Sequence, residues 1–305
     1  MPDHDVSPPR AAGLPWVTGI ALTLCAANYC AALTAEDLES WDTLTRLGFL
    51  PAPAIWGGEY WALLSSVFVH LEAWHVLFNA YWLWRLGRVL EAQLGSLRFL
   101  AFYLAAALLS SSAQLAVSGT TGIGASGVVY ALFGYLWVAP YGQSHGPAAL
   151  DTRTIRLFLF WLLGCMVATQ LEILSVGNAA HVTGLLFGAA VAGAGGKPRV
   201  RGLARSGLAA LIAAALAPLF WCPWSTEWLC HRAYAEHDAG RYAKARGWYT
   251  RVIERDPENA WAYANRADVL WQLGLTNEAN HDLLQAEKLD PSITAEPEAD
   301  ARGTP

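Results

Sequence analysis

Charge is what this chain has least of. Only 15% of its 305 residues are charged, against 54% hydrophobic, where soluble domains carry roughly 25% charged residues. An ordinary soluble globule is excluded. The scarcity is also uneven: long windows between Trp16 and Trp224 hold almost no charge, while the segment after Ser225 is rich in it. Other absences narrow the function. A net charge of −5 offers no basic surface for a nucleic acid, and none is expected as a partner. Five cysteines do not make a disulfide framework, and Cys25, Cys30 and Cys165 sit in apolar runs where each reads as a small hydrophobe. No cysteine or acidic residue stands at a spacing that would join His70, His75 and His181 in a metal site, so neither a metal nor another cofactor is expected. The stretch Met1–Pro15 is polar and proline-rich. It lacks the pattern of a cleavable signal.

What stands in place of charge is a series of long apolar runs. A bilayer core ~30 Å thick needs ~20 apolar residues per helix. Seven spans are expected, at Trp16–Leu33, Ser66–Trp84, Leu97–Val117, Gly124–Tyr141, Leu157–Leu174, Ala179–Gly195 and Gly207–Trp224. The fold class is therefore all-α, a polytopic membrane bundle with a small helical domain behind it. Arg10, then Arg85, Arg88 and Arg98, then Arg153 and Arg156, then Lys197, Arg199, Arg201 and Arg205 fall in loops on one side. The opposite loops hold only Arg46, with Glu36, Asp37, Glu39, Asp42, Glu59 and Glu172. The positive-inside rule then puts the N-terminus in the cytoplasm and the C-terminal part outside, for a multi-pass protein of the cell (inner) membrane. The last span is alanine-rich and interrupted by Pro218; if it does not cross, the polar part is cytoplasmic. Cys222 and Cys230 flank its outer end, and a disulfide and two free thiols both stay open. Thr34–Ser65, rich in tryptophan and interrupted by proline and glycine, reads as an interfacial element.

Polar side chains within membrane segments are rare, inward-facing and functional by default. Ser126 follows the glycine- and threonine-rich stretch Ser118–Gly124, which is too flexible to extend a helix. Ser126 to Pro140 is 15 residues, a helix of only ~22 Å at ~1.5 Å per residue. Ser126 is thus expected below the membrane surface, on backbone of a kind tolerated there only beside a wet cavity or within protein. His181, Gly184 and Gly188 share a helical face, and Gly127 and Gly134 lie on the serine's helix. Such small residues let membrane helices touch backbone to backbone, as a serine–imidazole hydrogen bond of ~2.7–3.0 Å requires. His75 and Asn79, at i and i+4, stack on one face of the second span. With the Ser126 N–H they are candidate oxyanion donors. Nucleophile, base and oxyanion donors together point to peptide-bond hydrolysis inside the membrane. Each feature alone has a plainer reading: glycine stripes serve any transporter, Tyr130 can be core, and His70 belongs near the outer rim, hydrogen-bonded locally. Their conjunction favours the hydrolase, with a transporter as one alternative.

These residues resemble the rhomboid family of intramembrane serine proteases. Gly124-Ala125-Ser126-Gly127, followed by Val128-Val129-Tyr130-Ala131-Leu132-Phe133-Gly134, is similar to the family's GxSG motif. His181-x-x-Gly184-x-x-x-Gly188 resembles its sixth-helix signature, and His70-x-x-x-x-His75-x-x-x-Asn79 its second-helix pattern. The resemblance covers roughly residues 58 to 195. It implies Ser126 as nucleophile and His181 as general base, a dyad without a third acid. It further implies His75 and Asn79, with Gly124, on the oxyanion and substrate side, and Tyr130 stacked on the catalytic imidazole. Gly127, Gly184 and Gly188 support that site, and Glu91 resembles the glutamate at the second helix's cytoplasmic end. The chain departs from the family in having Ala62 after Trp61, where an arginine is common, and in its seventh span. The implied substrates are transmembrane proteins in the lipid bilayer. The alternative within the resemblance is a non-catalytic rhomboid-like protein that binds or chaperones client membrane proteins.

The polar C-terminal part repeats itself. Ala233, Ala245, Tyr249 and Pro257 recur 34 residues later as Ala267, Ala279, Leu283 and Pro291, the tetratricopeptide (TPR) period. Two units are fewer than the ~3 usually needed for stability alone. Their concave faces suit a protein or peptide partner, a spacer being the alternative. The expected organisation is a disordered tail over 1–15, a protease domain over 16–224, two repeats over 225–292 and a disordered tail over 293–305, with its acidic run Ala295–Asp300.

Overall fold

The computed structural model describes residues 14–139 and 150–293. Residues 1–13 and 294–305 of the expected tails, and the proline expected to end the serine's helix, lie outside the described residues. Among those described there are helices and no strand. The chain begins with α1 (Trp16–Ala32) and three short helices, α2 (Trp41–Leu47), α3 (Ala52–Trp56) and α4 (Ala62–Ser65). Then come α5 (Ala73–Leu94), α6 (Ser96–Ser118), α7 (Ser126–Val138), α8 (Thr152–Gln170), α9 (Asn178–Ala194) and α10 (Pro198–Leu216). Four helices close the chain: α11 (Thr226–Asp238), α12 (Tyr242–Arg255), α13 (Ala260–Gln272) and α14 (Thr276–Leu289).

Every expected span overlaps one of these helices. Those over Ser96–Ser118, Thr152–Gln170 and Pro198–Leu219 are long and apolar enough to cross a membrane, and Trp16–Ala32, Ser126–Val138 and Asn178–Ala194 are shorter apolar helices. The second span is displaced from its expected position. Its apolar run begins at Ser66, but residues 66–68 form a separate 3-10 turn, Val69 and Glu72 are extended, and the helix starts at Ala73. It also runs past Trp84 through Arg85, Arg88 and Glu91. Hydropathy marks what is buried and is blind to a break within the buried stretch. The last span is displaced the other way: its helix begins early, at Pro198, and Pro218 falls in a 3-10 turn that ends it.

The described chain folds as two compact units: residues up to Leu50 with Trp61–Leu115 and Thr121–Leu216, and Pro51–Tyr60 with Ala116–Thr120 and the chain from Ala217 on. In the first unit Leu83, Leu86 and Leu90 of α5, Phe99 and Ala106 of α6, and Val128, Ala131, Leu132 and Phe133 of α7 are fully buried in one core. On α8, by contrast, Phe160, Leu163 and Val167 are exposed. Large apolar side chains on the outside of a helix with a dry inner face are what lipid, an apolar solvent, permits. Ala62, which follows Trp61, has no exposed surface.

A single buried carboxylate ties three helices together. Glu91 accepts from the N–H groups of Val17 (3.0 Å) and Thr18 (2.9 Å), from the Thr18 hydroxyl (2.7 Å) and from the Ser96 hydroxyl (2.7 Å). The first turn of α1 has no intrahelical acceptor for those N–H groups and carries the positive end of its dipole. No side chain of its own caps that helix. Glu91→Ala would leave the donors buried and unpaired, at about 1–3 kcal/mol each. Thermal unfolding in detergent is expected to show a large loss of stability for Glu91→Ala, and a smaller one for Glu91→Gln, which keeps an acceptor.

In the second unit α11–α12 and α13–α14 are two helix pairs in the expected register. Ala233, Ala245, Ala267 and Ala279 are all at 0% exposure, the small residues at which neighbouring helices meet. Arg266 clasps Asp282 through two hydrogen bonds of 2.6 and 2.8 Å, and His237 bridges Tyr249 (3.2 Å) and Asp268 (3.0 Å). The first pair is not left bare: α3 packs against α11. The Trp56 indole donates to the Pro218 carbonyl (3.2 Å), and its ring lies 6.2 Å from that of His231. Burial, and then the charge of Arg232, lower the pKa of His231 and so favour the neutral ring against the tryptophan. Cys222 and Cys230 are buried free thiols. The Trp224 indole donates to the Ala116 carbonyl (2.9 Å), near the end of α6, where carbonyls lack intrahelical partners.

Candidate active site

The site is built at the start of α7. After α6 the chain turns through Gly119, Gly122 and Gly124, each with positive φ (72°, 70° and 94°), a conformation glycine adopts at no steric cost. This irregular stretch delivers Ser126 as the first helical residue, with Ala125 before it offering no side-chain cap. The N–H groups of that first turn have no helical acceptor. At 13 residues, α7 is only ~20 Å long, well short of a bilayer core of ~30 Å.

His181 lies in the first turn of α9, buried, with Nε2 2.8 Å from the Ser126 hydroxyl. The approach depends on glycine. A Cβ on Gly184 would strike the Gly127 carbonyl, one on Gly188 the Ala131 carbonyl, and one on Gly134 the Leu185 carbonyl. The two backbones are in contact along their lengths, and no side chain fits between them. Tyr130, one turn beyond the serine, lies under the imidazole with ring centroids 4.6 Å apart and planes 30° apart. Its hydroxyl is held by the Phe158 carbonyl of α8 at 3.1 Å. For the Ser126 hydroxyl to donate to Nε2, the ring proton must sit on Nδ1. That atom is buried with no hydrogen-bond partner among the described residues.

The third wall is the start of α5. His75 is half-buried, and its ring covers Gly124: a Cβ there would come within 2.6 Å of both Cε1 and Nε2. Asn79 is buried one turn on, its Nδ2 3.1 Å from the His75 carbonyl and 3.2 Å from His70 Nε2. His70, expected near the outer rim with a local hydrogen bond, is fully buried: the extended segment before α5 turns it inward against Asn79 and edge-on to His75 at 4.8 Å. Its Nδ1–H donates to the Phe68 carbonyl (3.1 Å), which leaves Nε2 to accept from Asn79. Both amide hydrogens of Asn79 are therefore engaged. Gly124 donates its N–H to the Ser66 carbonyl at 3.1 Å, so its contribution is space for the His75 ring and not a free donor.

Residues 57–197 match the Rhomboid domain family, residues 233–274 a TPR repeat family and residues 262–293 a second tetratricopeptide repeat family. The chain carries a rhomboid domain followed by tetratricopeptide repeats. It is 39% identical over 132 residues to a protein of Pectobacterium atrosepticum named Rhomboid protease GlpG, covering 43% of this chain and 46% of that one. Proteins of the same name from Salmonella paratyphi A and Yersinia pestis are 33% and 32% identical, over 58% and 55% of this chain and 62% and 58% of theirs. The chain thus spans about half the length of the curated relatives it matches.

Of the residues the sequence singled out, Ser126 meets His181, Tyr130 lies against the His181 ring, His75 covers Gly124 and Asn79 reaches His70 and His75, while Gly127, Gly184 and Gly188 lie along the contact between α7 and α9. Sequence reasoning missed two further parts of the rhomboid domain. Gln114 of α6 accepts from the Ala180 N–H at 3.2 Å, supporting the turn that carries His181. An amide within a run as apolar as Leu97–Val117 was the available signal. The Ser66 carbonyl on Gly124 carries no such signal, since it is backbone.

Proposed function

We propose that this chain is an intramembrane serine endopeptidase that cuts peptide bonds in or beside transmembrane segments of other proteins. The observation that carries the reading is the 2.8 Å contact between Ser126 and His181 Nε2 at the head of two helices packed backbone to backbone. His181 takes the proton from Ser126 as the oxygen attacks the scissile carbonyl, and returns it to the leaving amine. The oxyanion is received by the Ser126 N–H and the His75 ring. Asn79 reaches it by exchanging its bond to His70. Water then hydrolyses the acyl-enzyme. The chain sits in the cell (inner) membrane with its N-terminus cytoplasmic, and the repeats lie outside, where they take a protein or peptide partner.

A fluorophosphonate probe tests this directly. The expected result is a single adduct, mapped by mass spectrometry to Ser126, in the native chain and in neither Ser126→Ala nor His181→Ala. Equal labelling of native chain and Ser126→Ala would overturn the assignment. Gly124→Ala combines a strained φ, costing roughly 1–2 kcal/mol, with a collision against His75. Cleavage of a transmembrane reporter is expected to fall at least ~10-fold, since one displaced oxyanion donor costs about 10²–10³ in kcat, while the Ser126 adduct still forms.

A further inference from the structure

The second unit carries an exposed aromatic edge and a cationic cleft side by side. Where the apolar helix over Pro198–Leu219 ends, the chain runs straight into Phe220 and Trp221, which are 73% and 63% exposed, and Trp224, 46% exposed. Tyr60 joins them, its ring 6.4 Å from that of Phe220. Beside this edge, Pro223, Leu229, Arg251, Glu254 and Arg255 line an open cleft of about 450 Å³. Arg251 and Arg255 are at i and i+4 on α12 and so share a face. The Arg251 guanidinium stacks on Trp248 at 4.6 Å, and Arg255 donates to the Trp224 carbonyl at 2.5 Å. Elsewhere in this unit Arg241, Arg246 and Arg266 each pair with a carboxylate. Among the described residues no such ion pair engages Arg251 or Arg255.

Two features select the occupant. Soluble domains rarely present large rings in a row, whereas the headgroup layer is where tryptophan and tyrosine are enriched, and this edge follows directly in the chain on a span-length apolar helix. Each guanidinium has five N–H donors, and the one bond from Arg255 leaves most of its fork unused. Planar forks of this kind bind phosphate oxygens in pairs. We propose that this edge of the repeat unit is a binding site for an anionic phospholipid: Phe220 and Trp221 enter the interfacial layer, and Arg251 and Arg255 hold the headgroup phosphodiester. The repeats are thereby held against the membrane plane, next to the substrates their partner-binding face would meet.

The test uses the full chain in nanodiscs containing a photoactivatable phosphatidylglycerol, with crosslinked peptides mapped by mass spectrometry and those from α6 as the measure of embedding. The expected result is crosslinking at residues 220–224 and 248–255. It should fall about fivefold in Arg251→Gln or Arg255→Gln and roughly 30-fold in the double variant. The double lysine variant keeps the charges and is expected to retain most of the crosslinking, which separates lost binding from lost folding. Native-level crosslinking in a double glutamine variant of native helicity overturns the proposal. So does crosslinking confined to α6. Displacement by excess inorganic phosphate would assign the cleft to a free anion and overturn the lipid assignment.

Discussion

Ser126→Ala is expected to remove reporter cleavage to background, a loss of at least ~10⁴-fold, and His181→Ala to do nearly the same. Two groups that act on one proton fail together: without the imidazole the hydroxyl stays protonated, and without the hydroxyl the imidazole has nothing to activate. The double variant should be no worse than either single one. Stability should scarcely follow. Ser126→Ala removes one hydrogen bond, worth about 1 kcal/mol net, so the detergent melting temperature is expected to move by only a few degrees. A rate loss matched by unfolding would place these residues in the structure and not in the chemistry.

Gly188→Ala should have the second largest effect, although Gly188 touches neither reacting atom. An added methyl would collide with the Ala131 carbonyl and lie 2.8 Å from both the Ala131 carbonyl carbon and the Tyr135 nitrogen. Backbone does not yield as a side chain end does, so α7 and α9 must separate. Overpacking of this kind costs about 1–3 kcal/mol of stability. A displacement near ~1 Å between reacting groups costs about 10²-fold in rate. Slow fluorophosphonate labelling together with a lowered melting temperature is the expected pair of results, and Gly184→Ala should behave alike. Gly164→Ala on α8 is the control, because a Cβ there meets nothing within 4 Å. If Gly188→Ala labels at the native rate, the contact between the two helices does not set the dyad.

Part of this was readable from residue types. Membrane segments announce themselves by composition, since lipid tolerates neither charge nor unpaired backbone. A polar residue within one is therefore conspicuous: Ser126, His181, His75 and Asn79 stood out for that reason, and their spacing supplied the pairing. The glycines on α7 and α9 pointed to close packing for the same reason. The repeats were legible because Ala233 and Ala267, Ala245 and Ala279, and Pro257 and Pro291 stand 34 residues apart.

Other features depend on paths the backbone takes between helices. His70 lies in a stretch as apolar as the helices around it, so no hydropathy pattern could place it against Asn79. Extended geometry at Val69 and Glu72 did that. The engagement of Gly124 with Ser66, and of Ala180 with Gln114, follows from where α6 and the 3-10 turn come to rest. Glu91 was placed at a helix end by resemblance, but its grip on the first turn of α1 is a contact across 74 residues.

From its amino acids alone this protein is a bundle of apolar helices with a hydroxyl, imidazoles and an amide inside it, because burying those groups in lipid is too costly to be accidental. Which hydrogen bonds they make at rest was decided by tertiary structure. A side chain's partner is set by the angle and register at which separate helices meet, and those come from packing, not from the order of residues along any one of them.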